Sequence, residues 1–391
     1  MNEKPPIDPM PKDYGFGSDE EMLRDLAKKL LDEEMPIEKM RRLVAADPAT
    51  TYEDGQRPGW DESLWKQCVE LGWTGLAVPE EAGGVGIKMV GIAGLVEEVG
   101  KHGLASPLIA TLTATFALRE AGTAEAAAWL GRIADGSSAS LAMTDAKGSW
   151  EPGSTDVVAT ASGDGLTLNG SAYFVQDAFK ADLFVVSAIL DGACVLCVVR
   201  GDARGLDRRQ DEIHDLTRDQ ATVVFENVTV AAEELVCRDG EAALRRAWPA
   251  ILTTVAADLC GTGEWQLQTT VEYAKTRKQF DRPIGFFQAV KHPLSNGMIA
   301  IDRARSLVYH AACCIDSGND EAERFARMAK SAASDAGSFM SDRSVQLHGG
   351  IGFTWECDVH LYFKRSMHNQ MLYGDGIHQR RKLADMIIGP I

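Results

Sequence analysis

The spacing of hydrophobic residues changes twice along this chain of 391 residues. From Ser18 to about Gly136, apolar residues recur every three or four positions, which is the period of an amphipathic helix. Short β-branched runs separated by turn pairs follow as far as Val236, and longer helical patterns return from about Gly240. The chain is therefore predicted to be an α+β protein with an N-terminal arm and helical domain (1–136), a middle β-barrel or β-sandwich domain (137–238) and a C-terminal helical bundle (239–391).

Capping and turn residues locate the first helices. The sequence from Ser18 to Glu21 has the S-x-x-E form of a capping box, which predicts a helix start. Further helices are predicted in the segments DESLWKQCVELGW, KMVGIAGLVEEVGKH and AEAAAWLGRIADG. The glycines and proline of 77–86 predict a loop between the first two of these segments. The polar, proline-rich first 17 residues have no apolar core of a secretory signal, and an extended arm is expected there.

Two turn pairs organise the middle region. Asn169-Gly170 and Asp191-Gly192 are typical of type I′ hairpin turns, because both residues of each pair tolerate positive φ. The second pair separates two apolar runs (184–190 and 193–199), and 222–230 predicts another strand.

Three long helical patterns are predicted beyond the β region, over 244–275, 288–316 and 321–347. Helices of this length favour a bundle, and bundles bind cofactors and ligands between their helices.

The charge balance narrows the range of partners. With 40 Lys and Arg residues against 57 Asp and Glu residues, the formal net charge is −17, and there is no long basic run. Because an acidic surface repels phosphate backbones, nucleic-acid binding is not expected. No apolar stretch approaches the roughly 20 residues of a transmembrane helix.

The 8 cysteines are scattered. Cys194 and Cys197 have CxxC spacing, but they lie in an apolar run without a second pair, so buried thiols are favoured over a zinc site and no metal is expected. Reduced cysteines without a signal indicate the cytoplasm.

Four motifs carry a resemblance to a known family. The segment EYAKTRKQFDRPI (272–284), followed by Phe287-Gln288, resembles the acyl-CoA dehydrogenase pattern YAxxRxxFGxPIxxFQ. QLHGGIGFT (346–354) resembles its QxxGGxGYT, and LGWTGLAVPEEAGGVG (71–86) resembles its N-terminal LGLLGLxVPEExGGxG. AMTDAKGS (142–149) is a shortened form of ALTEPxAGSD. The resemblance runs in order from about residue 20 to 390, and it implies that family's helical, β and four-helix-bundle architecture.

The resemblance implies FAD as cofactor and assigns residues to it. Thr144 and Ser149 would offer hydroxyl and N–H groups to the flavin edge, and Phe174 lies where the family has a tryptophan beside the ring. Arg277 can fork onto a pyrophosphate, because a planar guanidinium matches paired phosphate oxygens. The remaining residues assigned to the cofactor are Gln176, Phe280, Gln288, Gln346, Gly349 and Gly350.

The same resemblance implies partners. Arg277 and the Gln346/Gly349/Gly350 loop would reach the FAD of a neighbouring subunit, so a homodimer, a homotetramer or a heteromer with a paralogue is expected. Asp281 replaces the family's usual glycine, which raises a question about the geometry of that turn. The implied substrate is an acyl-CoA, and the implied electron acceptor is an electron-transfer flavoprotein.

The catalytic base is the main departure from the family. The family's glutamate in its YEGT motif corresponds to Gly374, and the alternative position on the first bundle helix corresponds to Ile251. Asp258, on the same helical stripe as Ile251, is the first candidate base, with an ion pair to a bundle Arg or Lys as the alternative. Asp375 is the second candidate, and its alternative role is to cap the helix that follows.

Three functions remain open. The first is FAD-dependent α,β-dehydrogenation of an acyl-CoA to the 2-enoyl-CoA. The second is a non-catalytic or partner-dependent subunit of a heteromeric acyl-CoA dehydrogenase, which the loss of both family carboxylates favours. The third is a family relative with other flavin chemistry, such as oxygen-dependent oxidation. The motifs do not determine the acyl group.

Overall fold

The computed structural model describes residues 13–44 and 59–389. The first 12 residues of the predicted N-terminal arm lie outside these ranges. The N-terminal helices are α1 (Ser18–Glu34), α2 (Ile37–Val44), α3 (Glu62–Glu70), α4 (Met89–Lys101), α5 (Leu108–Ala121) and α6 (Ala124–Ala134).

Two predictions for this region need correction. The N-cap of α1 is Gly17, and the Glu20 carboxylate accepts a hydrogen bond from the Gly17 N–H at 2.9 Å, so the Ser18–Glu21 capping box is wrong. Helix α5 was not predicted, because its first eleven residues are buried on all faces and show no apolar stripe.

The middle region is a mixed β-sheet. Its strands are β1 (Ala139–Ala142), β2 (Val158–Ser162), β3 (Gly165–Gln176), β4 (Leu183–Leu190), β5 (Ala193–Arg200), β6 (Leu206–Gln210), β7 (Gln220–Val230) and β8 (Leu235–Cys237). The strand order is β6-β7-β3-β2-β4-β5-β8, and β1 pairs in parallel with β4.

One predicted turn is present and the other is not. Asp191 and Gly192 have φ of 50° and 85° and join β4 to β5, which confirms the type I′ turn. Asn169 and Gly170 instead lie inside β3, where the pairing with β7 shifts register, so the turn predicted there is wrong. Gly170 is needed because its φ is 123° and a Cβ would lie 2.2 Å from the Asp156 carbonyl oxygen. A bulge and a type I′ hairpin turn both need residues that tolerate positive φ, so an Asn-Gly pair suits either structure.

The sheet separates two hydrophobic cores. Successive residues of a strand point to opposite faces, so Leu183 and Val185 pack against the helices whereas Phe184 and Val186 fill a separate core inside the sheet region. The helix-facing side therefore anchors the middle region to α5 and α7.

The C-terminal helices are α7 (Gly240–Thr276), α8 (Gln288–Asp316), α9 (Ala322–His348), α10 (Val359–Met371) and α11 (Gly376–Ile388). A short hairpin, β9 (Lys278–Gln279) and β10 (Arg282–Pro283), joins α7 to α8. The predicted α+β class with helical, β and helical parts is confirmed. Within the described ranges, no helix is both long and apolar enough to cross a membrane.

Candidate active site

A strained corner joins α10 to α11. Tyr373 and Gly374 both have left-handed backbones, with φ of 56° and 93°, and such conformations in non-glycine residues often mark functional sites. The Tyr373 ring is 5% exposed. Burial raises the pKa of this phenol, so the group stays neutral.

The middle region supplies a second strained aromatic residue. Phe174, near the end of β3, has φ of 56° beside a register shift and keeps 36% of its surface exposed. Bulges of this kind redirect a side chain. The Phe174 ring therefore faces outward from the sheet in a fixed position.

Trp150 connects these two positions. Its ring centroid lies 6.2 Å from that of Phe174 and 5.1 Å from that of Tyr373. Trp248 of α7 packs edge-on against Tyr373 from another side, at 5.5 Å. The four rings form an aromatic wall that joins the middle region to the α10–α11 corner, and this junction is the candidate active site.

The loop that carries Trp150 begins at the two predicted hydroxyl residues. Thr144 is 1% exposed, and its carbonyl oxygen accepts a hydrogen bond from the Tyr173 N–H at 3.0 Å. The Asp145 carboxylate accepts one from the Ser149 N–H at 2.9 Å, which fixes the turn. Thr144 and Ser149 are thus held close to Phe174.

Gln176 is fixed by three hydrogen bonds. Its Nε2 donates to the Phe174 carbonyl oxygen at 3.0 Å and to Gln220 Oε1 at 2.8 Å. Its Oε1 accepts from His368 Nε2 at 2.8 Å, so the neutral imidazole carries its proton on that nitrogen. Burial lowers the pKa of His368 to about 4, which keeps it neutral. His368 also borders an apolar cavity of about 730 Å³ beside α10.

The other predicted cofactor residues lie on the outer ends of the bundle helices. Arg277, Phe280 and Gln288 are exposed around the β9–β10 hairpin, and Phe280 is 86% exposed. Phe280 and Asp281 have φ of 53° and 61°, which makes the connection a two-residue turn of type I′. Aspartate tolerates this conformation better than most residues, which accounts for its presence in place of the family's glycine.

The Gly349-Gly350 motif lies beside α7, the helix that precedes the β9–β10 hairpin. The ring of Tyr273 in α7 stacks on His348 at 4.2 Å, and the 349–350 turn follows His348 directly. A Cβ built on Gly349 or Gly350 would meet nothing within 4 Å, and Gln346 is exposed. The exposed guanidinium, aromatic ring and open glycine backbone suit a ligand that has both phosphates and a planar ring.

Asp258 lies in a buried ion cluster. Arg218 Nη2 and Arg365 Nη2 donate to its two carboxylate oxygens at 2.6 and 2.7 Å, and Asn369 Nδ2 donates as well. Burial alone would raise the pKa of Asp258, but Arg365 and Arg218 hold it below its usual range. Asp258 therefore forms ion pairs with two arginines, which is the alternative to its predicted role as the base. A carboxylate whose pKa is lowered in this way is a weak proton acceptor.

Asp375 caps α11, as its alternative role predicted. Its carboxylate accepts a hydrogen bond from the His378 N–H at 2.7 Å. At the neighbouring position the His378 ring occupies the space of a side chain, because a Cβ on Gly374 would lie 2.3 Å from His378 Cδ2. The overlap with His378 explains why position 374 carries no glutamate.

Lys330 of α9 also contacts the α10–α11 corner. Its buried ammonium donates to the carbonyl oxygens of Gln370 and Gly374 at 2.8 and 3.0 Å and to Ser334 Oγ at 3.1 Å. Burial lowers the pKa of Lys330 to about 7, and Asp375 acts in the opposite direction.

We expect Lys330 to make stability depend on pH. Between about pH 7 and 10.5 the unfolded chain holds a proton on this lysine that the folded chain lacks, so the free energy of unfolding should rise with pH. The slope can reach about 1.4 kcal/mol per pH unit. Urea unfolding of the wild type and of Lys330→Met across this range would measure it. Equal slopes in the two proteins would contradict the assignment.

Comparison with known proteins identifies the family. The model "Acyl-CoA dehydrogenase, N-terminal domain" matches residues 17–137, and "Acyl-CoA dehydrogenase, C-terminal domain" matches 253–388. The acyl-CoA dehydrogenase IpdE2 of Mycobacterium tuberculosis is 32% identical over 351 residues, covering 88% of this chain and 90% of the relative. The chain belongs to the acyl-CoA dehydrogenase family. Members of this family are FAD-dependent oxidoreductases, which confirms the predicted class of enzyme and the predicted cofactor.

Two solved structures agree with this family assignment. A variant of the Tcur3481-Tcur3483 steroid ACAD matches with a TM-score of 0.83 and 29% identity, covering 95% of this chain and 98% of that chain. Butyryl-CoA dehydrogenase from Megasphaera elsdenii has a TM-score of 0.85 at 24% identity, with the same coverage, and so supports the fold alone.

The acyl-CoA dehydrogenase motifs miss three residues of the candidate site. Trp150 and Trp248 lie outside the quoted motif segments, and tryptophan in a loop or an apolar helix is usually part of a core. His378 lies in a segment whose pattern indicates only a helix. The close approach of His378 to Gly374 depends on the folded corner, so no sequence signal locates it.

Proposed function

We propose that this chain catalyses the FAD-dependent α,β-dehydrogenation of an acyl-CoA thioester to the 2-enoyl-CoA. The observation that supports this most is the position of Trp150 between Phe174 and Tyr373. Through Trp150, Phe174, which we predict to lie beside the flavin, is connected to the corner where the family carries its base. A flavin and a proton acceptor must act on adjacent carbons of one substrate, so this proximity is a requirement of the reaction.

The residues of the candidate site suit the steps of this reaction. When bound, FAD would supply the acceptor for the hydride that leaves the β-carbon. The thioester acidifies the α-proton, and the aromatic wall excludes water from the reacting carbons. Gln176, held by His368 and Gln220, donates to the Phe174 carbonyl oxygen and so fixes the backbone that carries the Phe174 ring. Electron-transfer flavoprotein is the proposed acceptor of the electrons.

The outward residues support an oligomer in which copies complete each other's FAD sites. Arg277, Phe280 and the Gly349–Gly350 turn are exposed on their own chain and carry groups that suit a pyrophosphate and a planar ring. We propose a homodimer or a homotetramer. A heteromer with a paralogue belongs to the second candidate function.

Removing the Arg277 guanidinium should weaken FAD binding. A hydrogen bond to a charged group contributes about 1.5–3 kcal/mol, so Arg277→Ala should raise the dissociation constant about tenfold to a hundredfold. Fluorescence titration of the flavin-free protein with FAD would measure it. The control is Arg245→Ala, which removes an exposed arginine paired with Glu241 at the other end of α7. Unchanged FAD affinity in Arg277→Ala would contradict the assigned role.

A second candidate function is a subunit that depends on a partner for catalysis. It is favoured by Gly374, which has no room for a side chain, and by Asp258, whose oxygens are occupied by two arginines. The name of one structural relative, the Tcur3481-Tcur3483 steroid ACAD, joins two components. In this function the chain contributes FAD contacts, and a paralogue contributes the base.

Product analysis separates the two functions. The FAD-loaded protein would be incubated with saturated acyl-CoAs of different lengths and an artificial electron acceptor, and the thioesters analysed by mass spectrometry. Loss of two hydrogens, with deuterium lost from both the α- and β-carbons of labelled substrate, supports the dehydrogenase. Product formed only when a paralogue is co-expressed supports the subunit. No product in either preparation would contradict both.

A further inference from the structure

His378 occupies the space into which a side chain at position 374 would point. A Cβ built on Gly374 would lie 2.3 Å from His378 Cδ2 and 2.7 Å from Cγ. Gly374 directly follows Tyr373, whose ring forms part of the aromatic wall. The imidazole therefore lies at the corner where the family carries its carboxylate, and its side chain remains 33% exposed.

A carboxylate lies behind this imidazole. Glu151, next to Trp150 in the loop after β1, has its Oε1 3.7 Å from His378 Nε2 and 2.7 Å from Lys382 Nζ. At 3.7 Å this carboxylate is beyond hydrogen-bond distance of Nε2, so it acts on the ring through its charge, which stabilises the imidazolium that forms when the ring accepts a proton. The other ring nitrogen, Nδ1, is then available to accept a proton.

The surroundings keep the imidazole neutral near pH 7. Burial lowers the pKa of His378, and the cations of Lys382 and Arg327 lower it as well. The carboxylates of Glu151 and Asp375 act in the opposite direction. A neutral imidazole can accept a proton, whereas an imidazolium cannot.

We propose that His378, with the Glu151 carboxylate as its counter-charge, is the base that removes the α-proton of the acyl-CoA. The α C–H bond breaks and an N–H bond forms at Nδ1, while the β C–H bond breaks and its electron pair leaves as hydride for FAD. The products are the 2-enoyl thioester, reduced flavin and an imidazolium paired with Glu151. This assignment rests on the proposed dehydrogenase function and gives that reaction a base within the chain.

A substrate analogue isolates the proton step. In a 3-thiaacyl-CoA, sulfur replaces the β-carbon, so no hydride can leave and only α-deprotonation occurs. The anion formed by this deprotonation, when it stacks on the oxidised flavin, gives a long-wavelength charge-transfer band. In the FAD-loaded wild type, the band should grow with pH through one ionisation below the usual histidine value of 6.5. General-base catalysis contributes roughly 100-fold or more to rate, so His378→Gln should slow formation of the band by at least that factor without weakening binding of the analogue.

Three further variants test the arrangement. Glu151→Gln removes a charge that raises the pKa of His378, so the ionisation should move to lower pH. His378→Ala should lose the band and regain it when free imidazole is added. His102→Gln is the control, because His102 lies between α1 and α4, where it contacts Asp32 and Glu98. It should leave the band unchanged.

A second readout is independent of the reaction. In FAD-loaded protein labelled with ¹⁵N-histidine, the imidazole signal that disappears in His378→Gln should titrate at lower pH in Glu151→Gln. A signal that does not respond to Glu151→Gln would overturn the role of Glu151.

The outcomes separate this inference from the proposed function. A band that persists in His378→Gln at the wild-type rate overturns His378 as the base and leaves the dehydrogenase in place. A wild type that binds the analogue without any band, and reduces no flavin with any acyl-CoA, overturns both. Loss of the band in His378→Ala with recovery by imidazole supports the assignment.

Discussion

Replacing Asp258 with asparagine is expected to lower the free energy of unfolding by about 3–5 kcal/mol, because it removes the counter-charge of two buried arginines. Arg218 and Arg365 are 3% and 0% exposed, and each donates to one oxygen of Asp258. Urea unfolding monitored by circular dichroism would measure the change. The matched control is Asp202→Asn, which breaks an exposed pair with Arg200 and should leave the unfolding midpoint unchanged.

The stabilising contribution of the Asp258 ion cluster should be lost in acid. The pKa of Asp258 in the folded protein lies below its usual 3.8, so its contribution is fully present above that value and is lost as the pH falls through the folded pKa. Asp258→Asn should therefore lose less stability on acidification than the wild type does. A variant as stable as the wild type, with lost turnover, would instead support Asp258 as the base.

Introducing the family's glutamate by Gly374→Glu is expected to destabilise the protein and to add no dehydrogenase activity. The backbone at Gly374 has φ of 93°, and a Cβ would lie 2.3 Å from His378 Cδ2. A strained backbone conformation alone costs about 1–3 kcal/mol, and the steric overlap adds to it. Thermal unfolding and turnover of the variant would measure both effects.

A second glycine separates the two causes. Gly192 has φ of 85°, and a Cβ there would meet nothing within 4 Å. Gly192→Ala therefore reports the backbone cost, and Gly374→Ala reports the backbone cost together with the overlap. A smaller side chain at position 378 should recover part of the loss in Gly374→Glu. Wild-type stability in Gly374→Glu would contradict the account of this corner.

The sequence predicts the order of the elements because each has a distinct hydrophobic period. Helix α8 has the predicted bounds, and the turn at Asp191-Gly192 is present. The failures share a cause: a local pattern can satisfy two structures. Asn169-Gly170 suits a bulge as well as a turn, and α5 is buried on all faces, so it has no polar stripe.

The site was predicted unevenly for a related reason. Arg277 belongs to a motif that the family shares, and Phe174 lies where the family has a tryptophan, so the resemblance assigned both to the cofactor. Trp150 and His378 act through contacts that exist only after the loop following β1 and the α10–α11 corner come together. Asp258 illustrates the same limit, since its position on an apolar stripe indicates a partner or a function but does not choose between them.

An anaerobic titration of the FAD-loaded protein with a panel of acyl-CoAs, followed by flavin absorbance, tests the central claim most directly. Dehydrogenation predicts that the oxidised flavin band bleaches with at least one thioester, and the rank order of the panel then describes the acyl pocket. A flavin that stays oxidised with every thioester, although the protein binds them, would contradict the claim that this chain is itself a dehydrogenase.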